Sequence, residues 1–265
     1  MIPSPIHRVL STMRSHQVQC LLMGGQACIV YGAAEFSRDA DLAVLSDADN
    51  LRRLAAALDD LQAVTIAVPP FEARFLERGH AIHFRCARAD ARDMRVDVMS
   101  RMRGVAPFSE LWERRTTVEL RSAPDEPYVD VDLLSLADLV AAKKTQRDKD
   151  WPMIRRLLEA HWFEFRDAPD AGRVSFWLDE LRTPALLLEA VNAFATEARL
   201  HSREAIRVAH AGVLVDIERA LHEEQERERD RDRLYWTPLR AELAELRQAA
   251  RKQSSPRAGQ PRDAS

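Results

Sequence analysis

The spacing of apolar residues along the chain changes near residue 134. Before that point, short apolar segments typical of strands alternate with segments whose apolar residues have helical spacing. The segments predicted as strands are CLLMGG, DADLAVL, AVTIAV, HAIHFRCA, MRVDVM, TTVELR and YVDVDLL. Because helices separate some of these strands and short polar turns join others, we predict a mixed sheet.

After residue 134 nearly every segment has helical spacing. Ser135 with Asp138 is typical of a helix start, as is Ser46 with Asp49 earlier in the chain. Thr183-Pro184 and Thr237-Pro238 each predict an N-cap threonine followed by a proline as the first helical residue. The charged run EEQERERDRDR predicts a solvated helical face whose charges pair with one another.

These patterns predict the α+β class, with a mixed-sheet core followed by an all-helical C-terminal segment. The predicted boundaries are 1–134 for the α/β core and 135–250 for the helical region. The remaining residues, 251–265, have a composition typical of a disordered tail.

Composition narrows the class of protein. Of the 265 residues, 46% are hydrophobic and 31% are charged, as in ordinary soluble globular proteins, and the net charge of -3 argues against a broad nucleic-acid or membrane surface. The three cysteines have no metal-ligand spacing, which argues against a disulfide scaffold or a zinc site. Because no secretory signal or membrane-spanning segment is recognised, we expect a cytoplasmic protein with no membrane partner.

Two aspartates stand one residue apart in a predicted strand. Asp39 and Asp41 therefore point to the same face, with α-carbons roughly 6 to 7 Å apart. Carboxylates at this spacing suit a pair of Mg²⁺ ions, which prefer oxygen ligands and leave positions for substrate phosphates. The alternative is a pair of solvated residues at a strand edge, which is common for this motif.

Two neighbouring features favour a site over that alternative. Gly24 and Gly25 lie between a strand and a helix, where glycine lets the backbone approach a ligand closely. Asp97 is an isolated acid inside an apolar strand. Each has a purely structural explanation as well, a tight turn for the glycines and an outward-facing residue for Asp97.

The stretch GGQACIVYGAAEFSRDADLAV, followed about sixty residues later by RVDVM, resembles the polymerase-β-like nucleotidyltransferase superfamily. The resemblance is closest to the bacterial group that includes the AbiEii-type toxins. Members of that group carry a later helix with basic residues, which LADLVAAKKTQRDKDWPMIRRLL supplies here. The resemblance covers about residues 18 to 160 and implies a nucleotidyltransferase core within residues 1–134.

The resemblance also implies roles for individual residues. Asp39 and Asp41 would bind two Mg²⁺ ions, with Mn²⁺ as a substitute, and Asp97 would bind the ion that activates the acceptor hydroxyl. Lys143 and Arg147, four residues apart and predicted to share one helical face, would reach the triphosphate. The predicted nucleotide-binding residues are Gly24, Gly25, Gln26, Arg38, Lys143 and Arg147.

Two positions depart from the pattern of the superfamily. Gln26 stands where most members have serine or threonine, and Glu35 stands where many relatives have arginine. Both changes leave the carboxylates intact and concern the binding of the triphosphate. His80 and His83, three residues apart in a predicted strand, face opposite sides and are expected to be core or surface residues.

The leading hypothesis is transfer of an NMP from an NTP to an acceptor, with release of pyrophosphate. The basic segment 143–156 slightly favours RNA, such as tRNA, over a small hydroxylated molecule or a protein side chain, and the toxin-like relatives add a cognate antitoxin as a partner. One alternative is a non-catalytic binding module that keeps the fold. A glycosyltransferase with a D-x-D metal site explains the chain less well, because it accounts for neither the glycine pair nor Asp97.

Overall fold

The computed structural model describes residues 4–34, 37–125 and 127–254. Seven strands in these residues form one sheet with the order β3-β4-β5-β2-β1-β7-β6. The strands are β1 Cys20–Met23, β2 Asp39–Val44, β3 Ala63–Thr65, β4 Ile82–Cys86, β5 Arg95–Met99, β6 Thr116–Leu120 and β7 Val129–Leu133.

Five helices lie among the strands: α1 Ser4–Ser15, α2 Gly24–Val30, α3 Ala48–Asp60, α4 Ala73–Arg78 and α5 Phe108–Glu113. From Leu136 onward every described element is a helix: α6 Leu136–Lys143, α7 Asp150–Phe165, α8 Ala171–Glu180, α9 Pro184–Ala193, α10 Ala195–Arg199, α11 Glu204–Ala209 and α12 Leu214–Ser254. This order confirms the predicted α+β class. None of the helices in the described ranges combines the length and the apolar character needed to cross a membrane.

The sheet is mixed, as predicted. The β4–β5 and β6–β7 pairs are antiparallel hairpins, and β1 pairs with β2 in the antiparallel sense. The β2–β5 and β1–β7 pairs are parallel, because the long connections between those strands bring the chain back in the same direction. The central strands β2 and β5 therefore run side by side with their ends aligned.

The two faces of the central strands differ in character. Ala40, Leu42, Val96 and Val98 point to one face and are fully buried. The alternate positions point to the other face and remain partly exposed; they are Asp39, Asp41, His83, Arg95 and Asp97. The period of two thus collects the polar residues of three adjacent strands on one surface.

Several element boundaries differ from the sequence predictions. Helix α3 begins after Asp47 rather than Ser46, because the Asp47 carboxylate accepts a hydrogen bond from the Asn50 N–H. Strand β3 is shorter than AVTIAV, and α2 begins directly at Gly24. Helix α5 was not predicted, since it buries only Phe108 and Leu111 and shows too little periodicity.

Helix α6 ends at Lys143, so the predicted continuous helix through Arg147 is wrong. The buried carboxylate of Asp150 accepts hydrogen bonds from the Thr145 hydroxyl and from Arg147. These side-chain bonds compete with the helical hydrogen-bond ladder and stabilise a turn between α6 and α7. The Ser135 cap is confirmed, because its hydroxyl accepts from the Asp138 N–H at 3.2 Å.

The predicted helix start at Thr237-Pro238 is also wrong, because Pro238 lies inside the 41-residue helix α12. Thr237 does not cap; its hydroxyl donates to the Arg233 carbonyl at 2.8 Å. By contrast, Thr183 directly precedes α9 and Pro184 is its first residue, as predicted. The first four residues of the predicted tail, 251–254, are helical, and the rest of it, 255–265, lies outside the described residues.

Candidate functional site

The three predicted carboxylates lie on one face of two adjacent strands. In the β2–β5 register, Asp41 is directly opposite Asp97, and Asp39 is opposite Arg95. Neighbouring strands are about 4.8 Å apart, so Asp41 and Asp97 are next to each other. The residues predicted as metal ligands therefore share one small region of the polar face.

The glycine pair makes room for this region. Gly24 has φ +66°, and a Cβ at this position would lie 1.8 Å from Asp41 Oδ2. A Cβ on Gly25 would lie 2.4 Å from Ser37 Oγ, and the Gly25 N–H donates a hydrogen bond to the Asp41 carboxylate. The close approach that these glycines permit is thus first of all an approach to Asp41.

Asp41 carries charge in an unfavourable environment. Burial raises the pKa of its carboxyl above the ordinary value, and the neighbouring charges of Asp97 and Asp39 raise it further. The positive charge of Lys143 and the Gly25 N–H act in the opposite direction but do not outweigh burial and repulsion. A group of this kind gains stability from an added cation.

Asp97 is compensated by two residues of the same face. Arg95 donates to both of its oxygens, from Nε to Oδ1 at 2.7 Å and from the second guanidinium nitrogen to Oδ2 at 2.8 Å. His83 Nδ1 lies 2.9 Å from Asp97 Oδ1. Burial raises the pKa of the Asp97 carboxyl, but the hydrogen bonds and charges of His83 and Arg95 outweigh it, and the net pKa is lowered.

Sequence reasoning missed both partners of Asp97. It placed His83 correctly in a strand but gave it no role. Pairing β4 with β5 as a hairpin sets His83 opposite Asp97, and the period of two places Arg95 on the same face as Asp97. The signal was therefore present in the alternation of the RVDVM segment and in the register of the hairpin.

The donor chemistry of this face suits a hard divalent cation, because Asp39 and Asp41 offer carboxylate oxygens next to an uncompensated negative charge. Within the described ranges, however, no three His, Cys, Asp or Glu side chains are arranged as a ready ligand set. Asp97, one of the three predicted ligands, has both of its oxygens bound by Arg95. It could bind a cation only if Arg95 released it.

Lys143 lies beside the carboxylates, although not in the way predicted. Its side chain is 12% exposed, its ammonium is 3.4 Å from Asp150 Oδ1, and its charge acts on Asp41. Arg147 also contacts Asp150, with Nε 2.7 Å from Oδ2. Because α6 ends at Lys143, a shared helical face does not bring the two cations together; their common partner Asp150 does.

The remaining predicted nucleotide-binding residues occupy different surroundings. Gln26 is 1% exposed, and its side-chain amide donates to the Ser37 carbonyl at 2.8 Å, which fixes the segment that leads into β2. Its own carbonyl oxygen is buried and has no hydrogen-bond partner among the described residues. Arg38 is exposed directly before β2, whereas Glu35 lies outside the described residues.

Comparison with known proteins includes a remote structural likeness. No protein-family model and no curated protein sequence matches the chain. A solved structure described as "putative nucleotidyltransferase from H. pylori" aligns with 86% of this chain and 93% of its own, at 10% sequence identity and a TM-score of 0.38. A likeness at this level carries no argument about activity, so the functional argument rests on the geometry of the polar face.

The contact between Gly24 and Asp41 can be tested against a matched glycine. Gly32 also has positive φ, +75°, but a Cβ there would meet no atom within 4 Å. We expect Gly32→Ala to lower the free energy of unfolding by about 1 kcal/mol from backbone strain alone. Gly24→Ala should lower it by more, because Asp41 must also move. Equal losses in chemical denaturation would show that Gly24 does not make room for the carboxylate.

The opposite pKa shifts of the two facing aspartates predict opposite effects on stability without divalent cations. Ionised Asp41 destabilises the fold above its raised pKa, and this penalty disappears as the pH falls below the unfolded pKa. Asp97 stabilises the fold above its unfolded pKa, and this contribution is lost as the pH falls through its lowered pKa.

At pH 7 in EDTA we therefore expect Asp41→Asn to raise the free energy of unfolding and Asp97→Asn to lower it. Both differences should shrink in acid, and denaturation curves from pH 3 to 8 measure them. The electrostatic description is wrong if the two variants change stability in the same direction.

Proposed function

We propose that this protein is a metal-dependent nucleotidyltransferase that moves an NMP from an NTP to an acceptor and releases pyrophosphate. The observation that carries the proposal is the register of Asp41 against Asp97, with Asp39 on the same face and the Gly24-Gly25 turn beside them. Mg²⁺, or Mn²⁺ in its place, would neutralise these carboxylates and polarise the reacting phosphate when bound.

Each residue of the site has a distinct part in this proposal. Asp39 and Asp41 hold the cation, since among the described residues neither has an ion pair to a basic side chain like that of Asp97. Lys143 supplies a fixed positive charge next to Asp41, where an incoming triphosphate adds negative charge. Asp97 lies farther toward β4 and belongs to the side from which the acceptor hydroxyl approaches.

Arg95 has two partners in this proposal. In the described arrangement it pairs with Asp97, and its charge also acts on Asp39 and Asp41. When Asp97 turns to a cation, the Arg95 guanidinium is released within reach of the same face. A planar guanidinium binds phosphate oxygens as well as it binds carboxylates, so Arg95 would then contact the nucleotide.

The main alternative is a non-catalytic module that binds a nucleotide or a protein partner. It is favoured by the closed Arg95–Asp97 pair and by the burial of Gln26 away from any phosphate. Calorimetric titration of the protein with Mg²⁺–NTP separates binding from turnover. Absence of any nucleotide binding would favour a module for a protein partner. Nucleotide binding without labelling of any acceptor would favour a nucleotide-binding module.

A second arginine lies on the side of the polar face from which the acceptor would approach. Arg85, on β4, is opposite Arg95 in the β4–β5 register and is exposed. Val64 lies opposite Arg85 on β3 and is 61% exposed. An exposed arginine beyond the carboxylates suits a phosphate-bearing acceptor, so RNA such as tRNA is favoured over a small hydroxylated molecule. The resemblance to AbiEii-type toxins adds a cognate antitoxin to the proposed partners.

Replacement of the two metal ligands tests the activity. The protein is incubated with each α-³²P-labelled NTP, Mg²⁺ and total cellular RNA. Asp39→Ala combined with Asp41→Ala should lower labelling by at least about a thousandfold, because the bound cation contributes several kcal/mol to the transition state.

The chain provides a matched control for this experiment. Asp130 and Asp132 form a second D-x-D pair on β7, where Arg14 and Arg115 neutralise them. Asp130→Ala with Asp132→Ala should keep the labelling of the wild-type protein. A fully active Asp39/Asp41 variant would refute the proposed mechanism.

The class of acceptor is tested by reversing the charge of Arg85. Arg85→Glu should weaken RNA binding about tenfold and reduce the salt dependence by about one counterion, if Arg85 contacts a phosphate. Arg92→Glu is the matched control, because Arg92 is exposed at the turn of the same hairpin. Fluorescence anisotropy with labelled tRNA measures both. Equal affinities for both variants would favour the small hydroxylated acceptor.

A further inference from the structure

The inward face of α12 changes from apolar to acidic along its length. Ile217 and Leu221 are buried apolar residues near its start. Three acidic residues then follow at intervals of four, Glu224, Glu228 and Asp232, so they lie on one face of the helix. Asp232 is only 2% exposed. We call these three residues the inner stripe. Burying a carboxylate is unfavourable without a partner, so the partners of the inner stripe identify the segments that α12 binds.

The stripe was predicted to be part of a solvated, self-paired helical face. That prediction holds for the outward-facing residues of the charged run, where Arg233 pairs with Asp230 three positions away. It is wrong for the inner stripe, whose residues each pair with another element, although Glu228 also pairs with Arg231 of α12. Glu224, for example, binds Arg203 at 2.9 Å and Arg182 at 3.1 Å.

Farther along the stripe, the partners are Arg103 and the turn between α6 and α7. Arg103, in the loop after β5, binds Glu228 at 2.9 Å and Asp232 at 3.3 Å. The same guanidinium donates to the Lys144 carbonyl. Asp232 also accepts a hydrogen bond from the Gln146 N–H at 2.9 Å. One half-buried arginine and one buried carboxylate thus hold the backbone of the turn from two sides.

The segment held in this way begins directly after Lys143. The helical ladder of α6 has ended there, so it no longer fixes the chain. The indole of Trp151 donates to the Thr145 carbonyl at 2.8 Å and secures the next residue of the turn. Lys143 is the last residue of α6, so its backbone is fixed by the helix on one side and by the tertiary hydrogen bonds of the turn on the other. Its ammonium lies 3.4 Å from Asp150, which directly follows the turn.

We propose that Asp232 and Arg103 are positioning residues that hold Lys143 at the nucleotide site, so that α12 is part of the nucleotide-binding machinery. This inference rests on the proposed function, in which Lys143 contacts the triphosphate. Asparagine in place of Asp232 keeps one acceptor oxygen and replaces the other with an NH2 donor. Either the Gln146 N–H or Arg103 Nε then loses its acceptor, and the ion pair between residue 232 and Arg103 is lost. The turn then relaxes and Lys143 moves away from Asp41.

The test compares Asp232→Asn with Asp230→Asn in the full-length protein. Asp230 is two residues away on the same helix, is 68% exposed and pairs only with Arg233 among the described residues. Both variants lose one negative charge from α12. Asp232→Asn should weaken binding of Mg²⁺–NTP about tenfold, as expected for loss of a charge-assisted contact, while Asp230→Asn should bind as the wild type does. The four Mg²⁺–NTPs are titrated separately by calorimetry.

A second measurement reports on Lys143 without nucleotide. Acylation by an N-hydroxysuccinimide ester, followed by mass spectrometry, gives the rate for each lysine. Lys143 should react several-fold faster in Asp232→Asn than in the wild type, because its side chain is no longer held at 12% exposure. Lys149, exposed beyond the turn, should react at the same rate in all variants.

The two measurements separate failure of the inference from failure of the proposed function. If the wild-type protein binds none of the four nucleotides, the proposed function fails. If it binds one and Asp232→Asn binds it equally well, with unchanged labelling of Lys143, only the positioning inference fails. Should Asp232→Asn not fold, Arg103→Lys keeps the charge but loses the forked contacts, and the same two results are expected of it.

Discussion

Repulsion between neighbouring carboxylates on the central strands is the constraint around which this molecule is arranged. Asp41 is partly buried, lies opposite Asp97 and two residues from Asp39, and its burial raises its pKa. The chain also contains a D-x-D pair whose charges cause no such conflict. Asp132 on β7 is bound by Arg115 at 3.0 Å and by the Thr117 hydroxyl. The same short motif therefore has two different physical meanings, and only the uncompensated one points to a ligand.

The surroundings of Asp41 reduce its charge only in part. The Gly25 N–H and the Lys143 ammonium favour the ionised form of Asp41. Gly24 gives the carboxylate space because it has no side chain. None of them forms a direct ion pair with Asp41, whereas Asp97 has a bidentate one with Arg95. Under the proposed function, binding of a cation would offset this cost at Asp41. The helical region contributes to the same balance, because Lys143 comes from the first helix after the sheet.

The sequence predicts features that depend on neighbouring residues, such as which positions share a face of a strand. It does not predict contacts that segments far apart in the chain make with one another. Alternation in DADLAVL and RVDVM placed Asp39, Asp41 and Asp97 on strands, and the fold class followed from the order of elements. The role of His83 required the β4–β5 register, and the end of α6 at Lys143 depends on Asp150 and on partners from α12. Likewise, the inner acidic stripe of α12 has the composition of an exposed face, and only its partners reveal that it is buried.

The length of α12 has a consequence for what can be attached to this protein. A helix of 41 residues is about 60 Å long, more than a compact chain of this size needs to cross its own width. Glu242, in the second half of α12, binds His80 at 2.8 Å and so ties the helix to the sheet region. Residues 247–252 of the helix are exposed. A fluorophore, a tether or a fused domain joined to one of them would move with α12, and through Glu242 with the sheet region.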